Sequence, residues 1–346
     1  MSAAHYLIAA LGLAVLMVVH EGGHYLAARR FGMRVIRFSI GFGPTIWKHR
    51  PKGSPTVYQV AIIPFLAYVQ ISGMNPYEDN DPKDPGSYAN ASLWGRIVTI
   101  AGGPLANYLF ASVLMFIGFL IGGRMDVDET MKIIVAPDSP AAHSGMRDSD
   151  RIISVNGESM HNWDQLRVVF AGHAGDPVDV VVERDGKMET FRPVVSPKGE
   201  KYEGKIQVGQ LYHITKVGVG EAAVLSVTEP PKVVFDLVKG IGGWISGKVK
   251  PELSGPVGIV KTVGGAVKNG AGDTFKLLGA LSAYLGGFNL LPIPALDGGR
   301  LLFLLFEATS RRKPDAKIEA RIHAVGLLMM LTLIAVVTYT EIMPKH

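Results

Sequence analysis

Residues 20–24 read HEGGH and directly follow an apolar stretch, Ala3–Val19, that carries a single ionisable residue. On a helix, His20 and His24 are four residues apart and project from the same face. Two imidazoles placed in this way can share a Zn²⁺ ion, with Glu21 as a candidate general base. Ionisable groups at membrane depth are costly and by default mark a functional site. The pattern therefore predicts a zinc hydrolase site inside a membrane.

The composition agrees with a membrane protein. Of the 346 residues, 48% are hydrophobic and 19% are charged, whereas soluble domains average about 25% charged residues. Cysteine is absent from the sequence, which excludes disulfide bonds, Cys-ligated zinc and thiol catalysis. The formal net charge of +5 is small for this length and the basic residues are not clustered, so nucleic acid is not expected as a partner.

A catalytic zinc site needs three protein ligands and an open position for water. Without cysteine, the third ligand must be His, Asp or Glu from another element at the same membrane depth. Asp297 fits, because it follows the proline-interrupted segment 289–296 at the end of a candidate span and precedes Gly298 and Gly299. Irregular backbone at this depth is tolerated only where it is buried in protein or lines a cavity. On position alone, Asp297 could equally be an aspartate that caps a helix at the membrane surface.

Four segments are long and apolar enough to be transmembrane helices. They cover about residues 3–28, 94–122, 274–291 and 322–340. The third segment is short and contains glycine, which suits a helix buried among others rather than one that faces lipid. We therefore predict a polytopic α-helical membrane protein with about four transmembrane helices.

The distribution of Lys and Arg predicts the orientation, since cytosolic loops carry an excess of both. These residues are frequent at 29–52, after the first span, and at 300–321, between the third and fourth. Both connections are therefore expected to face the cytosol. Both termini would lie outside, His20 would lie near the cytosolic surface, and residues of about 125–273 would be extracytoplasmic.

Part of the extracytoplasmic insert has the pattern of an α+β module. Its predicted elements are a strand at 131–135, a helical turn at 139–146, a strand at 150–157, a helix at 163–171 behind the capping pair Asn162 and Gln165, and a hairpin at 178–191 around Asp185-Gly186. This order resembles a PDZ domain of the bacterial protease type, which implies that an extended peptide binds at a sheet edge. The module could also be a rigid spacer that binds no peptide.

The expected domains follow from these segments. They are an N-terminal membrane core at 1–124, the PDZ domain at 125–197, an extracytoplasmic connection at 198–273 and a C-terminal membrane core at 274–346. Within the connection, the apolar stripe Val233–Ile245 behind Pro230-Pro231 predicts an amphipathic helix. That helix could lie on the outer membrane surface or pack against the soluble module.

Four motifs occur together along nearly the whole chain. They are HEGGH at 20–24, GPLAN at 103–107, SGPVGI at 254–259 and the proline-containing segment at 289–299. In combination they resemble the site-2 protease family of intramembrane zinc metalloproteases, in its bacterial form with a PDZ insert. The most similar group, the regulator-of-sigma-E proteases, usually carries two tandem PDZ domains, whereas this insert has room for one. This difference in the number of PDZ domains leaves the identity of the substrate open, but it does not affect the predicted chemistry.

The resemblance implies roles for individual residues. His20, His24 and Asp297 would hold Zn²⁺, and Glu21 would act as the general base in peptide-bond hydrolysis. The loop after the first span, at residues 38–44, would be a membrane-associated β-loop.

A strand of that loop, which contains Gly41, Phe42 and Gly43, could pair with an unwound substrate. The same residues could also form an ordinary glycine-rich turn. Asn289 and Pro292 correspond to positions that the family uses in substrate handling.

The last expectations concern Asn107 and the remaining histidines. Asn107 could bond the backbone of the zinc site or bridge two helices, as polar residues in membrane bundles do. The histidines outside the HEGGH motif, His323 among them, have no paired spacing and are expected to be solvated or structural rather than ligands.

The leading hypothesis is an intramembrane endopeptidase of the bacterial plasma membrane. It would cut single-span substrates, either anti-sigma factors or remnant signal peptides, after another protease removes their outer domain, and the PDZ domain would exclude bulky intact proteins. The alternative is a non-catalytic receptor or scaffold with a structural metal, although a structural site has no use for Glu21 beside its ligands. A zinc transporter would be expected to show several metal sites along a path, and one constellation is visible.

Overall fold

The computed structural model describes residues 2–63, 67–77, 83–128, 130–197, 199, 204–247 and 254–343. The chain divides into two compact units. The larger unit consists of Met1–Gly122 and Val217–His346, and the smaller unit of Gly123–Lys216.

Helices account for most of the larger unit and for a minor part of the smaller one. In the described residues they are α1 (Ala3–Arg30), α2 (Leu93–Gly122), α3 (Pro140–His143), α4 (Trp163–Gly172), α5 (Val219–Ile245), α6 (Pro256–Asn269), α7 (Ala271–Asn289), α8 (Asp297–Ser310) and α9 (Ala316–Ile342). The strands are β1 (Val35–Ile40), β2 (Phe42–His49), β3 (Val57–Ile63), β4 (Tyr68–Ile71), β5 (Arg124–Val127), β6 (Ile133–Val135), β7 (Arg151–Val155), β8 (Glu158–Ser159), β9 (Val180–Arg184), β10 (Lys187–Phe191), β11 (Val208–Gln210) and β12 (Tyr212–Thr215).

Three of the described helices, α1, α2 and α9, are long and apolar enough to cross a membrane. They coincide with the first, second and fourth predicted spans. The third prediction, 274–291, coincides with α7, which does not reach the same apolarity over its length. Three apolar helices together with a β region are thus established for this membrane protein.

Helix α7 packs closely along α2 because glycines stand where the two helices meet. A Cβ atom on Gly279 would lie 2.7 Å from the Met115 side chain, and one on Gly286 would lie 2.8 Å from the Pro104 carbonyl oxygen. Contacts this short are not tolerated by real Cβ atoms, so the approach requires glycine. Small residues are the usual means of close helix packing in membranes.

A four-stranded sheet follows α1 in the order β2-β3-β1-β4, with β1 parallel to β3 and the other neighbours antiparallel. The predicted β-loop after the first span is therefore part of a sheet. The sheet packs on α1 through a small apolar core, in which Ala28 of α1 meets Met33, Val35 of β1 and Ile71 of β4. Strand β4 lies at one edge of this sheet, with β1 on its other side.

The smaller unit contains the predicted strands and helices around one apolar core that includes Ile133, Ile152, Leu166 and Val180. Its main sheet has the order β10-β9-β7-β8, and two-stranded pairs β11-β6 and β12-β5 complete it. The predicted turn between β9 and β10 has positive φ at both Asp185 (53°) and Gly186 (77°), as a two-residue hairpin requires.

The capping prediction for α4 also agrees with the structure, because the Asn162 side chain accepts a hydrogen bond of 2.8 Å from the Gln165 backbone. The predicted boundary between 197 and 198 differs from the observed unit. β11 and β12 return to pair with β6 and β5, so the unit extends to Lys216. Residues 198, 200–203 and 248–253 of the predicted connection lie outside the described residues.

The amphipathic helix of the connection is longer than predicted. Helix α5 begins at Val219, so Pro230 and Pro231 lie inside it rather than ahead of it. Each proline removes one backbone hydrogen bond from a helix, and here the helix packs on α2 and α7. Val234 packs against Gly287 of α7 at this contact.

Candidate metal centre

Helix α1 places the two histidines of the HEGGH motif on the same buried face. His20 and His24 are 5% and 8% exposed, and their Nε2 atoms are 3.2 Å apart. Both rings face Gly103 of α2, where a Cβ atom would collide with the His24 Nε2 atom and would lie 2.9 Å from the His20 ring. Glycine at this position leaves the space that both imidazoles occupy.

Asp297 reaches this pair from the opposite end of the chain. Its Oδ2 atom lies 3.1 Å from His20 Nε2 and 3.3 Å from His24 Nε2. The residue does not end the third predicted span, because α7 ends at Asn289 and Asp297 begins a separate helix, α8. It is not the cap of that helix either, since Leu296 occupies the N-cap position.

The three atoms meet the requirements of a metal site. Their separations of 3.1–3.3 Å match the spacing of about 3.3 Å between ligands that lie about 2.0–2.1 Å from a tetrahedral zinc ion. Asp297 Oδ2 is buried without a hydrogen-bond partner, as expected for an oxygen that faces a cation. Two imidazoles and one carboxylate leave a fourth position open, which is typical of catalytic rather than structural zinc.

Helix α2 orients both imidazoles from behind. His24 Nδ1 lies 2.8 Å from the Thr99 carbonyl oxygen and donates to it, so a neutral His24 would present its Nε2 lone pair to the metal position. His20 Nδ1 lies 3.2 Å from the Asn107 side-chain amide. The Asn107 Oδ1 atom is buried without a partner, and turning the amide by 180° would offer this oxygen to a protonated His20 Nδ1.

Asn107 therefore contacts the imidazole of a candidate ligand rather than the site's backbone. It also joins helices, because its backbone carbonyl accepts a hydrogen bond of 2.8 Å from Ser282 Oγ of α7. Of the two alternatives predicted for this residue, the structure shows the contact between helices, and its side chain meets the His20 ring instead of the site's backbone.

Glu21 lies near strand β4 and near the three candidate ligands. It follows His20 on α1, is half-buried, and has its carboxylate close to the backbone N–H of Val69 in β4. A carboxylate in this place can reach both water at the metal position and a chain lying along β4.

The other predicted substrate residues have their contacts elsewhere. Asn289 donates its side-chain amide to the Leu285 carbonyl within α7, and Pro292 lines a separate cavity of about 370 Å³. Gly41, between β1 and β2, and Gly43, near the start of β2, flank Phe42 and adopt φ of 90° and 93°. A Cβ atom on Gly41 would lie 2.7 Å from the Ile63 carbonyl, so this position requires glycine.

A cavity of about 710 Å³ has β4 on one wall and α8 and α9 on another, and its lining includes Ala295, two residues before Asp297. Arg96 of α2 and Glu307 of α8 line it and form a buried bidentate ion pair, with N–O distances of 2.9 and 2.5 Å. Tyr88 lines the same cavity, and burial raises the pKa of its phenol well above the ordinary value. His323 of α9 also lines it and is 9% exposed.

The sequence did not single out Thr99 or the Arg96–Glu307 pair, and it predicted a structural or solvated His323 without indicating its contact with Ala295. Thr99 acts through its backbone, for which a sequence carries no signal. The other three are ionisable residues in or beside apolar helices, and that signal could have identified them.

The chain matches the family model described as Peptidase family M50 over residues 8–333. It is 31% identical to a putative zinc metalloprotease of Agrobacterium fabrum, over 96% of this chain and 94% of that protein. It is 30% identical to another of Fusobacterium nucleatum, over 97% and 98%. It is 28% identical to the zinc metalloprotease RasP of Geobacillus kaustophilus, over 94% and 95%.

Proposed function

The chain belongs to peptidase family M50, the site-2 protease family of zinc metalloproteases, and we propose that it cleaves peptide bonds within the membrane at a zinc ion held by His20, His24 and Asp297. One observation carries this assignment. The Asp297 carboxylate comes within 3.1 and 3.3 Å of two imidazoles on a helix that is remote in sequence. The orphaned Oδ2 atom supports the same assignment.

His20, His24 and Asp297 would hold a zinc ion here, which would polarise a peptide carbonyl and lower the pKa of bound water to about 7. Glu21 accepts a proton from the attacking water at its carboxylate and passes it to the leaving amide nitrogen. Its half-buried position next to His20 on α1 and near Val69 of β4 supports this role. The Thr99 carbonyl and the Asn107 amide keep the two imidazoles turned toward the metal position.

The substrate chain lies along β4 in this proposal. A transmembrane helix protects its peptide bonds with its own hydrogen bonds, so the substrate has to unwind and then needs new backbone partners. An edge strand supplies such partners, and β4 is the edge nearest to Glu21.

This placement revises the expectation for residues 38–44. Phe38–Ile40 lie in β1, which has β3 on one side and β4 on the other, so their backbone is already paired. Gly41-Phe42-Gly43 lead into β2 at the far edge of the sheet. A structural role where the chain crosses from β1 to β2 past the end of β3 accounts for these residues better than direct substrate contact.

We further propose four spans, with α7 as the third, in a bacterial plasma membrane. Basic residues after α1 and between α7 and α9 favour the cytosol for both connections. The termini and the smaller unit would then be extracytoplasmic, and the metal group would lie toward the cytosolic side. Water would reach it through the cavity beside β4.

The smaller unit is proposed to be a PDZ domain, on the order of its strands and helices. A folded domain at the outer surface excludes substrates that still carry a bulky outer domain, which suits regulated intramembrane proteolysis. The proposed substrates are single-span proteins such as anti-sigma factors or remnant signal peptides. A peptide ligand of the PDZ domain is a further element of this proposal.

The test is hydrolysis of a single-span model substrate by the purified chain reconstituted in vesicles. We expect cleavage within the apolar segment, loss of cleavage in Glu21→Gln with zinc retained, and loss on chelation with recovery when zinc is restored. Cleavage that survives Glu21→Gln would remove the proposed base. Peptide binding without any hydrolysis by the zinc-loaded chain would instead favour the receptor or scaffold.

A further inference from the structure

The two-stranded ribbon of β5 and β12 has one apolar face. Its register pairs Tyr212 with Val127 and Ile214 with Met125. Because side chains along a strand alternate between faces, these four residues share one face, and we call them the ribbon's apolar face. Each of the four is between 46% and 60% exposed.

The opposite face of the ribbon is polar. The remaining pairs in the register are Asp126 with His213 and Arg124 with Thr215. Arg124 Nε donates to Asp126 Oδ1 at 2.6 Å, and this hydrogen bond holds the pKa of the Asp126 carboxyl below its ordinary value. The ribbon is therefore amphipathic, with charge on one side and large apolar side chains on the other.

The chain brings this ribbon to the end of a candidate membrane span. Helix α2 ends at Gly122 and β5 begins at Arg124, so Gly123 alone separates them. One residue advances the chain by at most about 3.6 Å. The ribbon therefore begins where the apolar helix ends, which is the level of the membrane surface in a chain that crosses the bilayer through α2.

We propose that the ribbon's apolar face lies on the lipid bilayer, at the boundary between headgroups and acyl chains on the outer side. An exposed cluster of large apolar side chains rimmed by charge is typical of an interaction surface, and here its nearest continuation is a membrane span. Tyrosine also suits this boundary, where its ring is apolar and its hydroxyl meets water.

The backbone limits how deep the ribbon lies. Among the described residues β5 and β12 pair with each other, and the pair forms no larger sheet. The outer edges of two such strands carry backbone groups that hydrocarbon would leave unsatisfied. The ribbon therefore rests at headgroup level, where water and headgroups can bond the unpaired backbone groups of these edges.

The absence of cysteine makes a direct test possible. Ile214→Cys on the apolar face and His213→Cys on the polar face are adjacent in sequence, and each is labelled with a small fluorophore in the full chain. The vesicles contain phosphatidylethanolamine and phosphatidylglycerol, with a fraction of lipid carrying a nitroxide near the headgroup. Val127→Cys and Asp126→Cys repeat the comparison on the other strand, so one misfolded variant does not decide the result.

We expect nitroxide lipid to quench the label at 214 and 127 several-fold more strongly than at 213 and 126, and aqueous iodide to show the opposite order. Equal access of iodide to labels on both faces would overturn the proposal. Protection of the apolar-face labels from both quenchers would also overturn it, because it would indicate cover by a second copy or by another part of this chain.

Discussion

His323 Nδ1 accepts a hydrogen bond of 2.9 Å from the backbone N–H of Ala295, two residues ahead of Asp297. Ala295 has a φ of 76°, a conformation that costs a non-glycine residue about 1–3 kcal/mol. Pro294 rests on Gly326 one turn further along α9, where a Cβ atom would lie 2.5 Å from the proline ring. One face of α9 thus supports the strained turn that delivers Asp297 to the imidazoles.

Loss of this support is expected to weaken metal binding. In His323→Leu the Ala295 N–H has no acceptor, so the turn relaxes and Asp297 shifts, with about a tenfold loss in zinc affinity. In His323→Asn the side-chain oxygen can occupy the place of Nδ1 and the affinity should largely recover. Competition with a chromogenic chelator measures both. Equal affinities for wild type and the leucine variant would contradict this role.

Asn107 is expected to set the orientation of His20. Removing the amide in Asn107→Ala should lower zinc affinity or activity by about 10–100-fold, the usual effect of losing a partner behind a ligating histidine. Asn107→Asp keeps an oxygen that accepts from His20 Nδ1 and should retain most of the affinity. If the alanine and aspartate variants lose zinc equally, the amide acts as a donor or only as a helix contact.

Gly103 is expected to tolerate no side chain. The methyl group of Gly103→Ala would occupy the space of the His24 Nε2 atom and of the His20 ring, so we expect zinc loss with the helical circular dichroism preserved. Gly22→Ala provides the control, because a Cβ atom there meets nothing within 4 Å. Metal content measured by atomic absorption distinguishes the two, and full zinc occupancy in Gly103→Ala would refute the steric argument.

The Arg96–Glu307 pair is expected to hold α8 against α2. Both side chains are buried, and removing one partner of a buried ion pair typically costs about 3–5 kcal/mol because it leaves the other charge unpaired. We therefore expect Arg96→Leu and Glu307→Leu each to unfold at lower temperature, and the double variant to be more stable than either single one. Thermal unfolding in detergent measures this, and additive effects of the two changes would contradict a direct pair.

Local patterns made part of the site predictable. A spacing of four residues on a helix fixes the relation of His20 to His24, and the absence of cysteine narrows the third ligand to His, Asp or Glu. Asp297 could be selected because prolines and glycines mark irregular backbone at membrane depth. The helix that begins at Asp297 could not be predicted, because Gly298 and Gly299 are poor helix formers. The burial of this helix depends on its contact with α2, which the sequence does not indicate.

Long-range order explains the remaining differences. Pro230 and Pro231 resemble the start of a helix, where proline is favoured, whereas packing on α2 and α7 carries α5 through them. The position of β4 at an edge depends on the sheet order β2-β3-β1-β4, which includes a parallel pair and is not encoded by any short segment. His323 acquires its role from a turn 28 residues away.

Helix α2 supplies none of the three candidate ligands, yet Thr99, Gly103 and Asn107 all face the imidazoles from it. A tilt or a shift of α2 would change the orientation of both imidazoles while every helix remained intact. During extraction into detergent, the ion would therefore escape before the polypeptide lost any secondary structure. Zinc stoichiometry per chain would thus be a more sensitive gauge of a well-preserved preparation than circular dichroism or monodispersity.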